Sequence, residues 1–261
     1  MIKASDIQVE HHDTLESTNT RAREIVASGQ TADSPLLVVT DSQTAGVGRH
    51  NREWHSPVGG LWCTLIWPVL ADVRNVFDGL GLRVGVAVVH AIEHTLDTHG
   101  LVKDVDLKWP NDVLVDGRKI AGILIESTTH DGTRFLMIGV GINVNNTLPD
   151  IKDGPIRPTS LRELIGHDVI NQRLRDILVE RLAHACQSRG IDRETLIDAR
   201  RYLFGVGTHI QAQVEGKPSL TGTLQGLNDQ GEILCQTDTG LTTVPRGAEI
   251  IWRDLEPLSD E

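Results

Sequence analysis

Two Asp-Gly dipeptides, Asp116-Gly117 and Asp131-Gly132, punctuate a series of short apolar runs and constrain the fold more tightly than any other feature of this chain. Asp-Gly between apolar runs closes a tight hairpin, because both central residues of that turn take positive φ. The spacing therefore predicts strands at 105–109, 113–115, 119–126 and 134–140, paired antiparallel along much of one sheet. Residues 36–39 and 61–67 read as further buried strands, and 82–96 as a helix packed on them. A helix at 18–28 starts behind Ser17 and stops at Gly29. The stretch 159–204 is helical in pattern, with Leu174, Ile177, Leu178, Leu182 and Cys186 on one face. Composition then changes at Gly205. Short alternating runs such as 209–214 and 233–235 follow, separated by Gly216-Lys217-Pro218, Asp229-Gln230-Gly231 and Thr239-Gly240, as a small β-barrel requires. The expected fold class is α+β, with a mixed, largely antiparallel sheet and flanking helices in residues 1–204 and a small β-barrel in 205–261. The acidic end, 254–261, reads as a frayed tail.

With 261 residues, 39% of them hydrophobic, the chain can bury a full core. Its formal net charge of −11, with no run of Lys or Arg, argues against a general affinity for nucleic acid, so no DNA partner is expected. Cys63, Cys186 and Cys235 are odd in number and form no CxxC, which points to a reducing compartment and no structural zinc. Asp6, Glu10 and Asp13 stand where a signal peptide would need an apolar run, and no stretch is long enough to span a bilayer. A cytoplasmic protein without a membrane partner is expected.

Four stretches carry candidate chemistry. Lys108-Trp109-Pro110-Asn111-Asp112 sets a lone cation at a strand end and fixes a turn just after it. By local pattern Lys108 is either a lysine snorkelling at a sheet edge or a cation held for a transition state that builds negative charge. Between residues 41 and 60, a stretch with Gly46, Gly48, Pro57, Gly59 and Gly60 is too rich in glycine for regular structure and too long for a passive turn. Gly46 and Gly48 let backbone approach a ligand, and Arg49 and Arg52 can clamp a carboxylate or phosphate. The stretch lacks the Gly-Lys-Ser/Thr ending of a P-loop and the third glycine of a dinucleotide fingerprint. Ser17-Thr18-Asn19 supplies hydroxyls and an amide at a helix start, for capping or for orienting an uncharged polar ligand. Gly139 to Asn145 ends a strand with Asn143, either a plain strand exit or a contact to a base or phosphate. No histidine pairs with a Ser or Cys nucleophile in a recognisable motif.

Taken in order, these stretches resemble the biotin protein ligases, in the form without an N-terminal DNA-binding domain. The resemblance rests on Ser17-Thr18-Asn19; on Gln43-Thr44-Ala45-Gly46 with Gly48, Arg49, Arg52, Trp54, Ser56 and Pro57; on Lys108 to Asp112 with Lys119 and Ala121 to Leu124; and on Gly139, Gly141, Ile142 and Asn143. It covers about residues 13–165. It implies a class II synthetase-like catalytic core with a C-terminal SH3-like barrel, and a two-step reaction. Biotin and ATP would give biotinyl-5'-AMP and pyrophosphate, and biotin would then pass to a lysine of a biotin carboxyl carrier domain, the expected partner. Ser17, Thr18, Asn19, Gln43, Gly46, Lys108 and Gly122 would bind biotin; Arg49, Arg52, Trp54, Asn111, Lys119 and Asn143 would bind ATP or the adenylate; Lys108 and Arg49 would be catalytic. Magnesium is expected with ATP, its protein ligands unknown from sequence, and a homodimer is left open. The chain departs from the family's loop at Val47 and His50, where arginines are usual, and at Asn51, where glycine is usual. Val47 removes a cation, and His50 carries a charge only when protonated. A lipoate or octanoate ligase or transferase relative, and a non-catalytic biotin-binding regulator, are the alternative readings.

Overall fold

The computed structural model describes residues 3–30, 34–69, 76–150, 156–213, 216, 218–245 and 248–252. Val214, Lys217 and the acidic end 254–261, named above, lie outside them. Both Asp-Gly turns form as the sequence dictates: Asp116 and Asp131 have φ 47°, and Gly117 and Gly132 have φ 71° and 81°. They join β5 (Asp112–Val115) to β6 (Arg118–His130) and β6 to β7 (Thr133–Ile142), while β4 (Val105–Lys108) precedes β5 across a turn at 109–111. Trp109, expected at the end of β4, belongs to that turn. With β1 (Gln8–Leu15), β2 (Leu36–Gln43) and β3 (Leu61–Val69) these strands make one seven-stranded sheet, ordered β1-β2-β3-β7-β6-β5-β4. Only β1 and β2 run parallel; every other neighbouring pair is antiparallel.

Two faces of this sheet are covered differently. On one, α2 (Leu80–Thr98) buries Leu82, Val84, Val88, Val89, Ile92 and Leu96, and α4 (Asn171–Gln187) packs against it through Leu174, Leu178, Leu182 and Cys186. The helical stretch 159–204 is therefore three helices, α3 (Leu161–Ile165), α4 and α5 (Arg193–Arg201), since Gly166 ends the first at φ 89°. On the other face, α1 (Thr18–Ala27) lays Ala22, Ile25 and Val26 on Val38, Ile66, Phe135 and Met137. It covers only part of that face, and the remainder is the floor of the site.

After Phe204 the chain forms a second, antiparallel sheet of β8 (His209–Gln213), β9 (Leu220–Leu227), β10 (Ile233–Thr237), β11 (Gly240–Thr243) and β12 (Glu249–Trp252), ordered β11-β10-β9-β8-β12. Ile210, Leu224, Ile233 and Cys235 of this sheet belong to the same continuous core as α2 and β3. Leu107 of β4 donates to Tyr202 and accepts from Phe204, so the passage between the sheets is tied to the strand that carries Lys108. Among the described residues no helix is long and apolar enough to cross a membrane.

Candidate active site

Beyond the N-terminus of α1, sheet register sets two cross-strand rows facing the cleft. Thr64, Gly139 and Leu124 form one, and Trp62, Gly141 and Gly122 the other. The glycines are required by close approach. A Cβ on Gly139 would lie 2.2 Å from Asn19 Oδ1, and one on Gly141 2.3 Å from Trp54 Nε1. Asn19 and Trp54 thus rest directly on β7, and the Trp54 ring, edge-on to Trp62 at 6.5 Å, also touches Gly122.

At the α1 end every polar group that lines the cleft is neutral, and most are bonded to protein. Ser17 precedes the helix in extended conformation, but its side chain makes no capping bond. Gln43 takes that place: its Oε1 accepts from Thr18 N at 2.8 Å and from Thr18 Oγ1 at 3.3 Å, while its Nε2 donates to Ser56 Oγ at 2.7 Å. Thr64, fully buried, lies within hydrogen-bond distance of both Thr18 and Asn19, and Asn19 Nδ2 donates to Glu126 at 2.7 Å.

The glycine-rich stretch is more regular than its composition suggests. β2 runs on to Gln43, and a miniature hairpin follows, in which Val47 pairs with Glu53 and Gly48 donates to Arg52 at 2.8 Å. His50 and Asn51 both take positive φ, 56° and 55°, at its tip. Left-handed backbone suits Asn, and His50 takes it too. Gly46 sits at the base, where a Cβ would lie 2.4 Å from Trp54 O, and does not line the cleft.

The opposite end gathers four cations, Lys108, Lys119, Arg49 and Arg52, among the carboxylates of Asp112, Glu249 and Glu53. Lys119 Nζ bonds Asp112 at 2.7 Å, and Lys108 Nζ lies 3.9 Å from the same carboxylate. Each lysine also stands over an indole face, Lys108 over Trp252 at 5.5 Å and Lys119 over Trp54 at 5.0 Å, a placement the ring quadrupole favours. The Lys108 side chain is only 16% exposed. Burial pulls its pKa down, Asp112 opposes that shift, and Lys119 and Arg52 reinforce it. Arg49, half-buried, is pulled the same way by desolvation. Arg52 pairs with Glu249 of β12, whose carboxyl that guanidinium holds below its usual range. A partly desolvated cluster of this kind is built to receive anionic oxygen.

Ser17, Thr18, Asn19, Gln43, Arg49, Arg52, Trp54, Lys108, Asn111, Lys119 and Gly122 all line this one cleft. Asn111 spends its amide on its own scaffold, donating to Ile123 O at 2.7 Å. Asn143 stands apart: it is buried, its Oδ1 accepts from Asn146 at 3.1 Å, and it does not line the cleft. Sequence reasoning passed over Asp112 as a partner for the lysines, and Glu249 and Ile250 as a wall supplied by the second sheet. Asp112 carried a readable signal, facing Lys108 directly across the β4–β5 turn; Glu249 carried none.

Residues 12–145 match the Biotin/lipoate A/B protein ligase family, and the chain belongs to it. The bifunctional ligase/repressor BirA of Bacillus subtilis is 34% identical over 247 residues, covering 90% of this chain and 71% of the relative. The biotin--[acetyl-CoA-carboxylase] ligase of Mycobacterium tuberculosis is 29% identical, covering 90% and 85%. Among solved structures, the biotin protein ligase from Aquifex aeolicus in complex with biotin and ATP superposes with a TM-score of 0.76 at 26% identity, covering 94% of this chain and 99% of that one.

Proposed function

We propose that this protein is an ATP-dependent, AMP-forming biotin protein ligase that acts on a biotin carboxyl carrier domain. One observation carries the reading: a single cleft joins a neutral, hydrogen-bonding end at Thr18, Asn19 and Gln43 to a cationic end at Lys108, Lys119, Arg49 and Arg52. Biotin has the matching polarity, a cyclic urea at one end and a carboxylate at the other. With the urea on the neutral end, the carboxylate reaches Lys108. A carboxylate oxygen then attacks the α-phosphorus of ATP, and the bond to pyrophosphate breaks. In the second step a lysine ε-amine of the carrier attacks the acyl carbon and AMP leaves. Negative charge builds on phosphoryl oxygens in the first step and on the acyl oxygen in the second, and Lys108, at the end of β4, serves both. Arg49 and Arg52, on the miniature hairpin, cover the adenylate, and Lys119 and Trp54 lie toward the nucleotide.

Magnesium would neutralise the pyrophosphate leaving group. It takes most of its ligands from phosphate and water, and the cleft carboxylates Asp112 and Glu249 are the protein groups suited to complete its shell. Residues 1–204 are assigned to the catalytic unit and 205–261 to an appended small barrel, with a cytoplasmic location and no DNA or membrane partner.

The test is ATP-dependent pyrophosphate release with biotin, lipoate or octanoate, followed by transfer of label to a carrier domain. Release with biotin alone, and labelling of one carrier lysine, are expected. Release with lipoate or octanoate in place of biotin would move the protein to the other branch of its family. No release with any acid would make it a binding protein.

A further inference from the structure

The neutral end of the cleft holds more hydrogen-bond acceptors than protons, and counting the protons fixes what it offers a ligand. Glu126 of β6 can only accept as a carboxylate, so Asn19 Nδ2 donates to it at 2.7 Å and the Asn19 amide cannot flip. Arg23 holds Glu126 from outside at 3.3 Å. Asn19 Oδ1 therefore faces Thr64, whose Oγ1 lies 2.7 Å from it and 2.8 Å from Thr18 Oγ1. A hydroxyl has one proton for these two neighbours. Whether that proton goes to Asn19 or to Thr18, the Thr18 proton goes to Gln43 Oε1 at 3.3 Å. Both arrangements turn the Thr18 proton into the protein, and its hydroxyl meets the cleft through a lone pair. Gln43 is fixed in the same way: Oε1 is committed to Thr18 N and one Nε2 proton to Ser56, which leaves one N–H to give.

We propose that Thr64 and Glu126 are positioning residues that set this polarity, an acceptor at Thr18 and a donor at Gln43, so that the cleft selects a cyclic urea over a cyclic guanidinium. The proposal rests on the biotin reading and deepens it. A ring urea presents N–H groups to the acceptor and a carbonyl to the donor. In 2-iminobiotin a donating N–H replaces that carbonyl and meets the Gln43 N–H head-on. Neither Thr64, fully buried beneath the floor, nor Glu126, behind Asn19, lines the cleft itself.

Biotin and 2-iminobiotin binding should be measured by calorimetry, with pyrophosphate release in parallel, for wild type, Thr64→Val, Thr64→Ser and Glu126→Leu. Thr64→Val leaves Asn19 Oδ1 without its donor and removes the contact beneath the cleft that holds the Thr18 hydroxyl in this orientation. Biotin is expected to bind about tenfold more weakly, with a reduced preference over 2-iminobiotin and with kcat at saturating biotin and the KM for ATP kept. Thr64→Ser, which keeps the hydroxyl, should restore both affinity and preference. Glu126→Leu, at a half-buried position, releases the Asn19 amide and should shift the preference the same way; it decides the matter if Thr64→Val does not fold. An unchanged preference in the folded variants overturns the proposal while leaving the biotin reading intact. If wild type binds no biotin, the biotin reading itself fails and the proposal falls with it.

Discussion

The two ends of the cleft are built on opposite plans. At the Thr18–Gln43 end the Thr18, Asn19 and Gln43 side chains are held by protein partners, and the floor beneath, Thr64, is fully buried. At the Lys108 end pairing is looser: Asp112 bonds Lys119 and lies 3.9 Å from Lys108, Glu249 pairs with Arg52, and the Arg52 side chain is largely open to solvent. Neutral recognition needs groups that cannot turn, because an amide or hydroxyl that rotates offers the wrong atom. Charge recognition needs groups with unspent capacity, because the field is wanted only when anionic oxygen arrives. Asp112 and Glu249 hold the cations in place until then.

The largest expected effect is at the charged end. Lys108→Ala should lower adenylate formation at least 100-fold, about 2.7 kcal/mol of transition-state stabilisation, with an unchanged Tm. Normal pyrophosphate release by the folded variant would remove Lys108 from the chemistry and leave the charged end without a centre.

Next is a probe of rigidity at the neutral end. Gly139→Ala puts a Cβ 2.2 Å from Asn19 Oδ1, and Asn19 is tethered to both Thr64 and Glu126. Overpacking of this kind costs roughly 1–3 kcal/mol, so the KM for biotin should rise about tenfold while that for ATP changes little. Equal changes in both constants would show the two ends to be mechanically one.

The smallest effect is expected at the Arg52–Glu249 pair. Both side chains are substantially exposed, so Glu249→Gln should cost less than about 1 kcal/mol. Since Arg52 depresses the Glu249 pKa, the pair's contribution is present above the ordinary carboxylate range and is lost as pH falls through the lowered value. The Tm gap between wild type and Glu249→Gln should therefore close on acidification. A gap that persists at low pH belongs to something other than the charge.

The same contrast explains what could be read from the chain beforehand. The hairpins were legible because Asp-Gly turns are local chemistry, and Lys108 because its strand, turn and return strand are contiguous. β1 was not: an edge strand in which no residue is buried has no apolar alternation to show, and Val9 is left 47% exposed. Ser17 looked like a helix cap, yet the cap is Gln43, twenty-five residues away from the Thr18 N–H it serves. Asn143 looked like a ligand contact at a strand exit, but the backbone beyond β7 turns it toward Asn146. Glu249 was invisible for a simpler reason: its charge acquires meaning only when the second sheet docks and brings it to Arg52.

That docking bears on the protein's synthesis. Ribosomes deliver residues in order, and β12, which walls the charged end and stacks Trp252 on Lys108, pairs with β8 near the end of the chain. The residues of the neutral end therefore leave the ribosome well before those that complete the charged one. A stop placed just before residue 249 removes Glu249 and Trp252 from the charged end, and should lower adenylate formation more than biotin affinity.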